Sequence, residues 1–212
     1  MSPHEDGEPA TLAALGDLVE VVAVLRRRCP WDAEQTHRSL VPHLVEESAE
    51  VVDAIEVGTE AELREELGDL LLQVVLHARI AEEDGVFDLA DVATDIAAKL
   101  RRRHPHVFGG EQPPEDLDGS WERRKAAEKG RTSSLDGIAT SLPALPRAAK
   151  VAHRVRAHGV DVALPDEPIG AEEVGRAVVD LAARADAGGV DVDQAVRSAL
   201  RDLESRVRSA EA

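Results

Sequence analysis

The tightest constraint on the fold is the spacing of apolar residues. Between Gly and Pro breaks they recur every three or four positions, the period of an α-helix, and they seldom alternate as a half-buried strand requires. Leu12, Leu15, Leu18, Val19, Val22 and Leu25 show the pattern over Thr11 to Arg28, which ends in three arginines suited to the negative end of a helix. Ala, Leu, Glu and Arg dominate the text, and aromatic residues make up only 2% of 212 positions. Helix formers therefore fill the gaps and strand formers are scarce. The expected fold class is all-α.

The punctuation divides the chain further. Cys29-Pro30-Trp31-Asp32 breaks the first helix, and a second is expected from Thr36 or Ser39 to Gly58, with Pro42 in its first turn. Thr59 with Glu62 reads as a capping box for a third helix that runs to Gly85. Asp88 caps a fourth, LADVATDIAAKLRRR, which Pro105 ends. Residues 109–119 have loop composition, a short helix follows around SWERRK, and Leu142 to Ala157 is another helix. Two final helices meet at Gly188-Gly189. Residues 1–10 are polar, hold two prolines, and are expected to be disordered.

Charge and cysteine content narrow the function. Lys+Arg number 25 against 42 Asp+Glu, a net charge of −17, which argues against a nucleic-acid polymer as partner. The single Cys29 cannot form an internal disulfide. No run approaches the ~20 apolar residues of a membrane span, and Met1 to Ala10 lacks the features of a secretory signal. The expectation is a cytoplasmic protein with no membrane partner. His104 and His106 form only a bare His-x-His, and Cys29 has no neighbouring base in sequence, so neither carries a site.

The chemistry concentrates in two helices. Glu47 and Glu50 stand three apart in HLVEESAEVVDAI, and Glu66 and Asp69 stand three apart in REELGDLLLQVVL, so each pair shares one helix face. The short turn at 57–60 makes the helices antiparallel neighbours across which the pairs can converge. Such acids repel unless something compensates, and a hard divalent cation such as Mg²⁺ does so. A solvated acidic face accounts for Glu62 and Glu65. Asp69, ringed in sequence by Leu67, Leu70, Leu71, Leu72, Val74 and Val75, fits a helix buried on several sides, where an ionised carboxylate needs a partner. Spacing alone leaves both readings open.

The ordered blocks CPWD then EQT, HLVEESAEVVDAI, EELGDLLLQVVLHA, KLRRRHPHVFGG and SWERRK resemble the MazG family of nucleoside triphosphate pyrophosphohydrolases, over about residues 12–157. The resemblance implies a four-helix-bundle type of site completed by homodimerisation. It also implies Mg²⁺-dependent cleavage of NTPs or dNTPs between the α and β phosphates, with Mn²⁺ as a substitute ion. By motif position it makes Glu47, Glu50, Glu66 and Asp69 metal ligands. Lys99, Arg102 and Arg103 become phosphate contacts, Trp121 a nucleotide contact and Trp31 a weaker base- or interface-side candidate. A Lys that some family sites carry four residues before the second Glu of the adjacent Glu46-Glu47 pair is here His43. Glu46, adjacent to the ligands, is our candidate for accepting the proton of the attacking water. The alternative is a non-catalytic helical module that binds nucleotides or a regulatory partner. A carboxylate-bridged di-iron bundle needs Glu-x-x-His motifs, and neither Glu47 nor Glu66 has a His three residues on.

An internal echo links REELGDLLLQVVLHA (64–78) with AEEVGRAVVDLAARA (171–185). There Arg176 stands in the place of Asp69, and no Glu-x-x-Glu helix precedes it. The expected organisation is a MazG-like domain over 11–157 followed by a shortened, degenerate second copy over 158–212.

Overall fold

The computed structural model describes residues 8–114 and 116–212, which form ten helices and, among the described residues, no strand. The chain divides between Arg102 and Arg103 into two compact units. The first holds α1 (Glu8–Arg28), α2 (Pro30–Glu34), α3 (Val41–Val57), α4 (Glu60–Glu83) and all but the last residue of α5 (Leu89–Arg103). The second holds α6 (Pro105–Phe108), α7 (Leu117–Glu128), α8 (Ala144–Ala157), α9 (Ala171–Ala187) and α10 (Val192–Ala210). None of the described helices is long and apolar enough to cross a membrane. Of the N-terminal stretch expected to be disordered, residues 8–10 already belong to α1, and residues 1–7 lie outside the described part.

The expected breaks fall close to where the sequence puts them, with two one-turn helices added, and the helix expected from Thr36 or Ser39 begins at Val41. Cys29 is extended, as a residue before proline prefers, and Pro30 then begins the one-turn α2 rather than a loop. Pro105 likewise ends α5 and begins the one-turn α6. At three helix ends a glycine adopts a left-handed backbone: Gly85 (φ 69°), Gly159 (φ 63°) and Gly189 (φ 68°). In each, the following valine donates its N–H to the carbonyl five residues back, at 2.9–3.0 Å. These are Schellman stops, and only glycine takes that φ at little cost. No atom would obstruct a Cβ at Gly189. Gly189→Ala therefore tests conformation alone and should cost about 1 kcal/mol in urea denaturation.

The core of the first unit is small: Val22 from α1, Leu40 before α3, and Val75, Leu76 and Ile80 from α4, with Leu18, Leu72 and Leu89 against it. Leu67, Leu71 and Val74 of α4 remain exposed, as do Val45, Val52 and Ile55 of α3. The expectation that α4 is buried on several sides is thus corrected for a single chain: only one of its apolar faces reaches the core. In the second unit Leu135, Val151, Val155, Leu200 and Val207 form a separate core. Helix α8, expected to close the first domain, shares this core with α10 of the shortened tail.

Arg26 ties the end of α1 to α2 and α4. Its guanidinium donates to the carbonyls of Asp32 and Gln35 and to both oxygens of Glu83, the last at 2.6 Å in the tightest contact. Its side chain is 8% exposed, so removal leaves several acceptors unpaired. Arg26→Ala is expected to destabilise the first unit by about 2–3 kcal/mol. Bonds from Arg26 hold the Glu83 carboxyl below its usual range, with Arg79 adding to the effect. A depressed acid stabilises the fold above its unfolded pKa and gives up that contribution as pH falls through the folded one. The stability gap between wild type and Glu83→Gln should therefore be widest near neutrality and close below about pH 4, as followed by urea denaturation across pH.

Candidate active site

The α3–α4 pair is built by its connection. Thr59 Oγ1 accepts from the Glu62 N–H at 3.3 Å, and the Thr59 N–H donates to Glu62 Oε2 at 2.7 Å, completing the expected capping box. Gly58 packs so closely that a Cβ there would meet the Ala54 backbone at 2.7 Å. This tight, capped turn sets the two helices antiparallel and fixes their register.

That register brings the acids together. Glu47 of α3 and Glu66 and Asp69 of α4 each present a carboxylate oxygen, and these three oxygens lie within 4.8 Å of one another. Such spacing suits oxygen ligands around one hard cation. Glu50 flanks the trio, and its charge acts on both Glu47 and Glu66. With Asp53, Ala54, Val57, Glu62 and Glu66 it lines an open cavity of about 250 Å³. Partial desolvation, then the charge of Asp69 and of Glu50, pushes the Glu47 carboxyl up from its ordinary value. Partial desolvation, then Glu50 and Asp69, does the same to Glu66. Left to themselves these groups hold protons more tightly than free carboxylates, and a divalent cation would relieve the same repulsion.

Glu46, the candidate base, has a 64% exposed side chain that lies 3.8 Å from His43 Nδ1. His43 in turn meets the exposed Trp31 edge to face, with ring centroids 5.8 Å apart. Lys99 is half-buried and Arg102 exposed near the end of α5. In the second unit Arg103 is buried, and its Nε and Nη2 donate to Glu128 at 2.9 and 2.5 Å. Trp121 is half-buried among cations and imidazole, with the Arg103 guanidinium 5.2 Å, the Lys125 ammonium 5.7 Å and the His104 ring 4.9 Å from its ring centre.

Comparison with known proteins decides the family. Residues 35–108 match the MazG nucleotide pyrophosphohydrolase domain. Over 204 residues the chain is 48% identical to an uncharacterised 26.1 kDa protein of Streptomyces cacaoi, spanning 94% of this chain and 83% of that one. The chain belongs to the MazG family. A nucleoside triphosphate pyrophosphohydrolase of Mycobacterium tuberculosis is 42% identical over 93% of this chain and 58% of its own length. One of Escherichia coli is 46% identical over 63% and 52%, so the chain spans a little over half of these two relatives.

Within this MazG-family fold, sequence reasoning passed over two features. His37 and His77 stack with rings 3° from parallel and Nδ1 atoms 2.7 Å apart, which pins the turn before α3 onto α4. Burial and the His37 charge lower the His77 pKa. Gln73 is buried, and its Oε1 has no hydrogen-bond partner. The signal for both is positional: 66, 69, 73 and 77 follow helical spacing, so the acids, the amide and the imidazole share one face of α4. Gln73 is also the lone polar residue in LLLQVVL.

The crowding of carboxylates makes a stability prediction. In EDTA, Glu47→Gln should raise the thermal midpoint by about 1 °C by removing one repulsive partner. Because protons compete with a cation for raised carboxyls, the affinity of the wild type for a divalent cation should fall as pH drops from 7.5 to 5.5. Isothermal titration calorimetry at the two pH values measures this.

Proposed function

We propose that this chain hydrolyses nucleoside triphosphates, NTPs or dNTPs, between the α and β phosphates to the monophosphate and pyrophosphate. The observation that carries the reading is the convergence of Glu47, Glu66 and Asp69 oxygens in a chain of the MazG family. The reading is supported by the pyrophosphohydrolase relatives, although each extends well beyond the part matched.

Glu47, Glu66 and Asp69, with Glu50 beside them, would hold Mg²⁺, or Mn²⁺ in its place. The bound ion supplies charge neutralisation for the triphosphate and the leaving pyrophosphate. Glu46, open to solvent and adjacent in sequence to Glu47, accepts the proton of the attacking water. Lys99 and Arg102 contact phosphate oxygens as cations at the end of α5. Arg103, the third of the expected phosphate contacts, is paired with Glu128 and lies beside Trp121, which packs against the nucleotide. The exposed apolar residues of α3 and α4 (Val45, Val52, Ile55, Leu67, Leu71 and Val74) are the surface on which a second copy docks to give a homodimer. Residues 158–212 are read as a degenerate second copy whose role is packing. A cytoplasmic location agrees with the single cysteine, and the acidic surface disfavours a nucleic-acid polymer.

The deciding experiment incubates the full chain with a panel of normal and damaged NTPs and dNTPs plus Mg²⁺, following pyrophosphate against orthophosphate. Pyrophosphate should appear in stoichiometric amount with the monophosphate. Glu66→Gln and Asp69→Asn should each lower kcat roughly 100-fold or more, and Glu46→Gln should lower kcat with little change in Mg²⁺ affinity. Orthophosphate as the product, or full turnover by Asp69→Asn, defeats the reading.

A further inference from the structure

The acid cluster has an uncharged neighbour that its chemistry leaves unexplained. Gln73 lies four residues after Asp69 and seven after Glu66, one turn further along the face of α4 that carries both acids. Its side chain is almost wholly enclosed, at 5% exposure, yet the amide oxygen Oε1 accepts no hydrogen bond. A buried carbonyl without a donor destabilises a fold, and the flanking positions show that this stretch of α4 takes Leu and Val freely. Packing alone therefore gives no reason for an amide at this position.

Geometry indicates where a donor would come from. Side chains of a helix lean back toward its N-terminus, which from position 73 is the direction of the Asp69 turn. A small divalent cation bound by a few carboxylates keeps several waters, whose O–H groups are strong donors in need of acceptors. A carboxylate in place of Gln73 would accept equally well, but it would add another negative charge to a cluster whose acids already raise one another's pKa. An amide is the acceptor that adds no charge.

We propose that Gln73 is a positioning residue of the metal centre. Its Oε1 accepts a hydrogen bond from a water in the hydration shell of the cation held by Glu47, Glu66 and Asp69. The proposal rests on the reading of that cluster as a divalent-cation site. It makes Gln73 a residue that costs stability in the metal-free protein and recovers it when the ion is bound.

The test uses the full chain and two apolar replacements, Gln73→Leu and Gln73→Met, with Glu66→Gln as a control on the site itself. Thermal midpoints are measured in EDTA and across an Mg²⁺ titration, and Mn²⁺ affinity is read independently by electron paramagnetic resonance. Both Gln73 variants should melt higher than wild type in EDTA, gain less from Mg²⁺, and bind Mn²⁺ roughly 10-fold more weakly, as expected for an outer-shell partner. A lower midpoint in EDTA for both variants, or Mn²⁺ affinity equal to that of wild type, overturns the assignment. Glu66→Gln separates the two layers. If it still responds to Mg²⁺ like wild type, the cation site is wrong. If it loses the response while the Gln73 variants keep theirs intact, the site stands and the role of Gln73 falls.

Discussion

Mutual repulsion among carboxylates at the α3–α4 seam is the constraint around which the first unit is arranged. Three acid oxygens within 4.8 Å of one another oppose the folded state of the bare chain. The elements that hold them there are rigid and local: a capped turn at Gly58-Thr59, the apolar contacts of Val75, Leu76 and Ile80, and the Arg26 clamp at the far end of α4. None of these touches the acids, and together they fix the position of the helix that carries two of them. A site that is costly when bare and stabilised by a ligand needs such a scaffold, because the acids themselves contribute nothing to folding in the absence of a cation.

The helices were legible because their ends carry local chemistry. Thr59 with Glu62, Asp88 at the start of α5, and the glycine breaks at 85 and 188–189 act within a few residues, so reading the sequence reaches them; the matching stop at Gly159 shows only in the structure. The pairing of Glu47 with Asp69 was legible for a related reason: a short turn between two regular helices leaves one antiparallel register. What escaped depends on longer-range contacts. Arg26 reads as one of three arginines at a helix end, and only tertiary structure shows that it alone reaches Glu83, 57 residues away. The stacked His37–His77 pair joins a turn to the middle of α4 and has no motif. The sharing of one core by α8 and α10 likewise joins residues far apart in sequence, which no local pattern reports.

Helix α4 shows how one amphipathic segment serves several demands. Along its length Leu72, Val75, Leu76 and Ile80 turn to the core, and Glu66, Asp69, Gln73 and His77 follow the polar seam. Leu67, Leu71 and Val74 form a third, solvent-facing apolar stripe. Spacing alone read this as a helix buried on several sides, and the sum of apolar positions is indeed that of such a helix. The single chain buries only the first stripe. The acids thus sit beside apolar surface that is still uncovered. Covering the stripe with a second copy, as our proposed homodimer does, would lower the local dielectric next to the carboxylates. Their repulsion and their attraction for a cation would then both grow. In such a homodimer assembly and ion binding would reinforce each other: an ion would make it less costly to bury the acids, and the partner would make the ion bind more tightly.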